Sequence, residues 1–483
     1  MPTMNRRDLL RGVAAAALAP LALNPANGAS TSKPELPNGR PARGDRRFTS
    51  AAVEDLIPRV QQKIADPALA TLFANCLPNT LDTTVWPGSY QGQPDTFVVT
   101  GDIDAMWLRD SSAQLWPYLP LAKQDAPLRA LLEGAIRRQA RMILTDPYAN
   151  AFVRNLSDPP LTWAVNDKTE HHSGVGERKW EVDSLCYPIR LAHGYWRQTG
   201  DTRPFDAEWK NAAWAIVKTF RTQQRKLGPG PYAFQRESAV PTDTCPLGGW
   251  GNPARPVGMI FSMFRPSDDA CIFPLFVPAN LFAVTSLRQL AELAAHVVHD
   301  TGLATEAEAL AAEVERALNQ HGKTRHAELG TIWAYEVDGY GNVLKMDDAN
   351  APGLLSLPYL GCCAAEDPLY RSSRAFVLSD SNPYFFKGRA AEGIGGPHVG
   401  MDMIWPMSIT MRALTSNDER EIRMCLRWLR DNTAGTGFMH EAFHKEDASK
   451  FTRPWFAWAN TLFGELIVSL AANHPAVLAE SFG

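Results

Sequence analysis

The chain has 483 residues, with 48 Lys+Arg against 52 Asp+Glu and a formal charge of −4. That near-balance excludes the polybasic surface that would hold nucleic acid or an anionic membrane. Hydrophobic residues at 45% and charged residues at 21% make an ordinary globular mixture with enough length for a large core, not a disordered chain.

Taken from the N-terminus, Arg6-Arg7 precedes an apolar run over 13–23, too short to span a bilayer, and small residues follow at 26–30. This pattern predicts a twin-arginine-type signal peptide over 1–29 and an exported bacterial protein, periplasmic or secreted. Residues 30–46 read as a flexible lead-in, and 47–483 as a single domain. No other segment reads as a membrane span. Helical periodicity covers 127–144, 207–220, 279–300, 305–322, 417–432 and 458–473. Strand signal is confined to 331–337 and 342–346, which flank Asp338-Gly339-Tyr340-Gly341 as one β-hairpin. The seven cysteines, Cys76, Cys186, Cys245, Cys271, Cys362, Cys363 and Cys425, contain no C-x-x-C pair and read as small buried hydrophobes.

Between the helices run long connections rich in Gly, Pro, Trp, Asp and His: 100–116, 166–180, 242–266, 347–363 and 393–406. Long loops on a helical scaffold are where function concentrates. Helical hairpins around a ring, with such loops at one end, would form an α/α barrel with a polar mouth. The 14 Trp, 11 Tyr and 21 Phe fit either a large core or stacking on sugar rings.

Four constellations carry candidate chemistry. In 100–111 (TGDIDAMWLRDS), Asp102, Asp104 and Asp110 stand with Trp107 and Arg109, either as a pocket wall or as a helix cap with a surface ion pair. Glu181 and Asp183 in ERKWEVDS have the same two readings. Arg265-Pro266-Ser267-Asp268-Asp269 is a turn or helix cap, or else holds an acid whose partner lies elsewhere in the chain. His440-Glu441-Ala442-Phe443-His444 matches H-E-x-x-H, which on a helix would bind zinc and leave Glu441 as general base, with Glu465 as a third ligand. The longer H-E-x-x-H-x-x-G-x-x-H form fails, because Asp447 and Lys450 occupy its Gly and His positions.

Together these loops resemble glycoside hydrolase family 125, the metal-independent exo-acting α-1,6-mannosidases. The matching strings are TGDIDAMWLRDS (100–111), ERKWEVDSLCYP (177–188), FRPSDDACIFPLFVPAN (264–280), 335–361, GIGGPH (393–398) and MHEAF (439–443), in order over most of the chain. Asp104 departs from the family's usual string, and 171–176 also diverges. The resemblance implies an all-α (α/α)6 barrel that hydrolyses α-mannoside glycans with inversion and needs no metal or other cofactor. It carries the acid to the Ser-Asp-Asp step, Asp268 in preference to Asp269, and the base to Glu441. On that mechanism Asp102, Arg109, Asp110, Glu181, Asp183, Arg265, Asp269 and His398 are candidate hydroxyl binders, and Trp107 and Trp405 candidate stacking residues. Two alternatives stand beside it: a zinc hydrolase built on His440 and His444, and a glycan-binding protein without catalysis.

Overall fold

The computed structural model describes residues 36–482. The twin-arginine-type signal therefore lies outside the described residues. The end of the expected lead-in is not loose: Arg40 pairs with Asp82 at 2.8 Å and Glu54 at 2.5 Å, and the Gly39 N–H donates to Asn75 Oδ1 at 3.1 Å.

The helices are α1 (Ala51–Gln61), α2 (Pro67–Cys76), α3 (Leu108–Leu115), α4 (Ala126–Thr145), α5 (Val182–Thr199), α6 (Ala207–Gln223), α7 (Val277–Leu293), α8 (Thr301–His321), α9 (Pro368–Val377), α10 (Pro406–Leu414), α11 (Glu419–Asp431), α12 (Ala457–Asn473) and α13 (Pro475–Leu478). They alternate between an outer and an inner layer. Inside, α3 packs on α5, α5 on α7, α10 on α12, and α12 returns to α3; outside, α4 packs on α6 and α6 on α8. This is the (α/α)6 arrangement with one substitution. Between α7 and α10 the inner position is taken by the irregular stretch 350–362, where Tyr187 of α5 donates to the Ala351 carbonyl and Tyr359 to Glu465 of α12.

Sequence sets the two layers apart at their N-termini. The outer helices α2, α4, α6, α8, α9 and α11 are capped by Asp66, Asp125, Asp206, Asp300, Asp367 and Asp418, each side chain accepting a first-turn N–H. The inner helices α3, α5, α7, α10 and α12 begin after Trp107, Glu181, Phe276, Trp405 and Phe456, with no side-chain cap. Their first turns open instead onto the loop end of the barrel, where the partial positive charge of uncapped N–H groups favours carboxylates.

Among the described residues the strands form six small sheets rather than one hairpin. Three of them fasten the chain just ahead of an inner helix: Met106–Trp107 against Ala151–Phe152, Leu275–Phe276 against Glu336–Val337, and Met403–Ile404 against Phe443–His444. The expected hairpin is present in shorter form, Glu336–Val337 pairing with Val343–Leu344, while Gly330–Trp333 turns back onto Lys323–His326. A helix over Val277–Val298 is long and apolar enough to cross a membrane, contrary to the sequence expectation. Its α7 portion packs against α5 and α8, and Phe282, Leu287, Leu290 and Leu293 are fully buried. All seven cysteines are free thiols.

Candidate active site

A pocket opens at the N-terminal end of the inner helices, lined among others by Trp107, Arg109, Asp110, Asp268, His398, Trp405, Glu441 and Arg453. Trp107, Trp405 and Phe456, the residues that start α3, α10 and α12, form its aromatic wall. Among the described residues, the Thr100 hydroxyl and the Trp405 indole N–H are buried without a hydrogen-bond partner, so both can serve a polar ligand in the pocket.

Arg109, in the first turn of α3, is the electrostatic centre. Its Nη1 lies 2.5 Å from Glu181 Oε2 and 3.2 Å from Asp183 Oδ2, its Nη2 3.3 Å from Asp268 Oδ1, and its Nε 3.5 Å from Asp110 Oδ2. One buried cation thus faces four carboxyls, too many negative charges for all to ionise. Burial pushes Glu181 well above the usual carboxylate range; Arg109 opposes the rise, and Asp268 and Asp183 add to it. Burial likewise lifts Asp183 to about 6 against the pull of Arg109.

Asp268 sits in the tight loop between bridged Phe264 and Ala270, at φ 66°, a left-handed backbone conformation uncommon for any residue but glycine. Such conformations persist where the surroundings over-determine them, often at functional sites. The neighbouring Asp269 does not line the pocket and sits 3.6 Å from Nδ1 of His398, which does. Burial raises its pKa, but hydrogen bonding and attraction from His398 outweigh that and hold the carboxyl below its ordinary value.

Across the pocket, Glu441 is almost fully buried. Its Oε2 accepts from the Thr452 hydroxyl at 2.8 Å, and its Oε1 lies 3.7 Å from Arg453 Nε. Arg453 also reaches Asp102 at 3.6 Å. These contacts fix the direction of the Glu441 carboxyl.

The pocket therefore gathers Asp268, Glu441, Trp107, Arg109, Asp110, His398 and Trp405, all of them named by the sequence. Five expected binders do not line it. Glu181 and Asp183 lie behind Arg109, drawn inward by its guanidinium. Arg265 is held at 2.6 Å by Glu336, which fastens the Asp268 loop to the strand Glu336–Val337. Asp269 serves His398, and Asp102 is half-exposed beside Arg453. Sequence reasoning missed Thr100, Pro266, Ser267, Asn350, Arg453, Phe456 and Trp458. The first four lie inside recognised strings, whereas Arg453, Phe456 and Trp458 belong to the aromatic stretch that follows Glu441.

The zinc arrangement fails on geometry. The chain around 440–444 is not helical, so the two histidines do not share a helix face. His440 is buried, its ring stacked on Phe451 at 4.1 Å and its Nδ1 2.9 Å from the Arg453 carbonyl. His444 Nδ1 accepts from the Glu446 N–H, and Glu465 accepts from Tyr359. Among the described residues, no group of three or more His, Cys, Asp or Glu is placed to hold a metal.

Comparison with known proteins agrees with this geometry. A family model described as metal-independent α-mannosidase (GH125) matches residues 66–468. A Streptococcus pneumoniae structure, described as a metal-independent α-mannosidase in a non-productive complex with α-1,6-mannobiose, is similar at 38% identity. It superposes with a TM-score of 0.83 over 88% of this chain and 99% of that one. A Schizosaccharomyces pombe protein named for a meiotically up-regulated gene, number 157, is 43% identical over 464 residues, covering 92% of this chain and 90% of that protein. A bacterial glucoamylase with bound acarbose shares the fold alone, at 13% identity and a TM-score of 0.50 over 85% of this chain and 57% of that one.

Proposed function

The chain belongs to the metal-independent α-mannosidases of family GH125, and on that premise we propose that it is an exo-acting, inverting enzyme that releases mannose from α-1,6-linked mannosides, including N-linked glycans. The observation that carries this reading is the presence of Asp268 and Glu441 in one pocket, although they lie far apart in sequence. Inverting hydrolysis needs one carboxyl to protonate the leaving oxygen and another, about 6.5–9.5 Å away, to deprotonate the attacking water.

Asp268 is the acid in this account. It shares one guanidinium with Glu181, Asp183 and Asp110, and crowding of carboxyls around a single cation favours a proton among them. Glu441 is the base, kept anionic by Thr452 and Arg453. Water loses its proton to Glu441 and attacks the anomeric carbon. The glycosidic C–O bond breaks, and the departing oxygen takes the proton of Asp268. Trp107, Trp405 and Phe456 offer apolar faces to the ring, while Arg109, Asp110 and His398 offer donors and acceptors to its hydroxyls.

The test is release of free mannose from α-1,6-mannobiose, with and without a chelator. Equal release in both supports the reading. No release, or release abolished by chelator, contradicts it. We also propose that the chain is exported by the twin-arginine route to the periplasm or beyond, on the strength of Arg6-Arg7 and the apolar run after it. Replacing both arginines with lysine should leave the enzyme in the cytoplasm.

A further inference from the structure

Lys179 is a buried cation for which the mechanism above has no use. Its side chain is only 1% exposed, and it does not line the pocket. A lysine ammonium is costly to bury and persists only where its contacts repay the lost hydration. Its Nζ donates to the main-chain carbonyl of Asp268 at 2.7 Å, lies 3.3 Å from Asp243 Oδ1, and sits 4.9 Å from the Phe264 ring centre.

The other end of the same residue reaches Asp268 indirectly. The Lys179 N–H donates to Asn150 Oδ1 at 3.0 Å, and Asn150 Nδ2 lies 3.4 Å from Asp268 Oδ1 and 2.9 Å from Glu177 Oε2. Lys179 therefore grips the backbone of Asp268 directly and meets its carboxyl through Asn150. Asp243 is the ammonium's counter-charge. Burial would raise its pKa, but Lys179, the Ser238 hydroxyl, Arg236 and His398 outweigh that and hold it at about 2.

Asp268 needs such a grip because its φ of 66° is unfavourable for a residue with a side chain. The loop supplies two bonds of its own, from the Asp268 N–H to the Arg265 carbonyl at 2.9 Å and from the Arg265 N–H to the Asp269 carbonyl at 2.8 Å. The Asp268 carbonyl is held by the ammonium.

We propose that Lys179 is a positioning residue for Asp268, clamping its carbonyl so that the left-handed backbone keeps the carboxyl aimed into the pocket. This rests on the reading of Asp268 as the acid. Because Lys179 acts on the proton donor alone, its loss is felt where the leaving group needs a proton and spared where it does not.

The experiment compares Lys179→Met, Asp243→Asn and Asp268→Asn on α-1,6-mannobiose and on an aryl α-mannoside with a good leaving group. For Lys179→Met we expect kcat on mannobiose to fall about tenfold or more, with KM and the aryl rate within about threefold of wild type. Asp243→Asn, which loosens the ammonium without emptying the space, should show the same selectivity with a smaller loss, and it decides the matter if Lys179→Met does not fold. Equal losses on both substrates, or a change in KM alone, would reduce Lys179 to a structural role and overturn the proposal. An Asp268→Asn enzyme without leaving-group selectivity would instead remove the acid assignment, and this proposal would fall with it.

Discussion

Arg109 Nη2 stands 3.3 Å from Asp268 Oδ1, while the same guanidinium is closer to Glu181, at 2.5 Å. Alone, that arginine would hold Asp268 ionised and useless as an acid. Glu181 and Asp183 share that guanidinium, and burial pushes both above the usual carboxylate range, so the cluster around Asp268 holds protons as well as charge. Two carboxyls expected to bind sugar thus stand behind Arg109 and share its charge with Asp268, the acid of the proposed mechanism.

The first prediction concerns Asp268→Asn. Hydrolysis of α-1,6-mannobiose should fall by about 10²–10⁴, the usual worth of general acid catalysis, while an aryl mannoside with a good leaving group should lose much less. Steady-state kinetics on the two substrates check this, and equal losses would count against Asp268.

Glu441→Gln should be slow on both substrates by a similar factor of about 10²–10⁴, because water must be activated whatever the leaving group. A variant that kept near-normal turnover on the aryl substrate would remove Glu441 from the base role.

Arg453→Met tests what keeps the base ionised. Arg453 Nε lies 3.7 Å from Glu441 Oε1, and its positive charge favours the carboxylate. Removing that charge makes Glu441 easier to protonate, so the acid limb of the pH–rate profile should move to higher pH. The profile is best measured on the aryl substrate, where the acid contributes least. An unmoved limb would show that Arg453 does not set the ionisation of Glu441.

Asp347, at the edge of the irregular inner stretch, gives a prediction on stability. Burial pushes its carboxyl up to about 7, although the Leu354 and Leu355 N–H groups pull the other way. An unfolded aspartate titrates near about 3.9, so between those values the native state binds the extra proton. Its contribution is full below the lower value and lost as pH rises through the upper one. Melting temperatures of wild type should therefore fall more steeply from pH 4 to 7.5, roughly the window set by the two pKa values, than those of Asp347→Asn. Parallel curves would contradict this.

Much of the molecule was legible in the sequence because amphipathic outer helices declare themselves. Periodicity located α4, α6, α8 and α11, which carry Asp caps, and the long inner helices α7 and α12; it missed the short capped helices α2 and α9. It passed over α5 and α10, inner helices that are buried nearly all round and start from Glu181 and Trp405 without a cap. The irregular stretch 350–362 had no period to find. At the site, strings such as TGDIDAMWLRDS brought out Arg109 and Asp268 but not their division of labour. Spacing along the chain does not say that Glu181 pairs with Arg109, or that Asp269 pairs with His398. Lys179 stood inside a recognised string, and only its burial against the Asp268 carbonyl singles it out.

The most direct test of the central claim is the anomeric form of the first mannose released from α-1,6-mannobiose, followed by proton NMR before mutarotation sets in. Asp268 and Glu441 acting as acid and base in a single displacement predict β-mannose first, with the α-anomer appearing only as the sugar equilibrates. Initial release of α-mannose would contradict that assignment and point to a covalent intermediate on one of the two carboxylates.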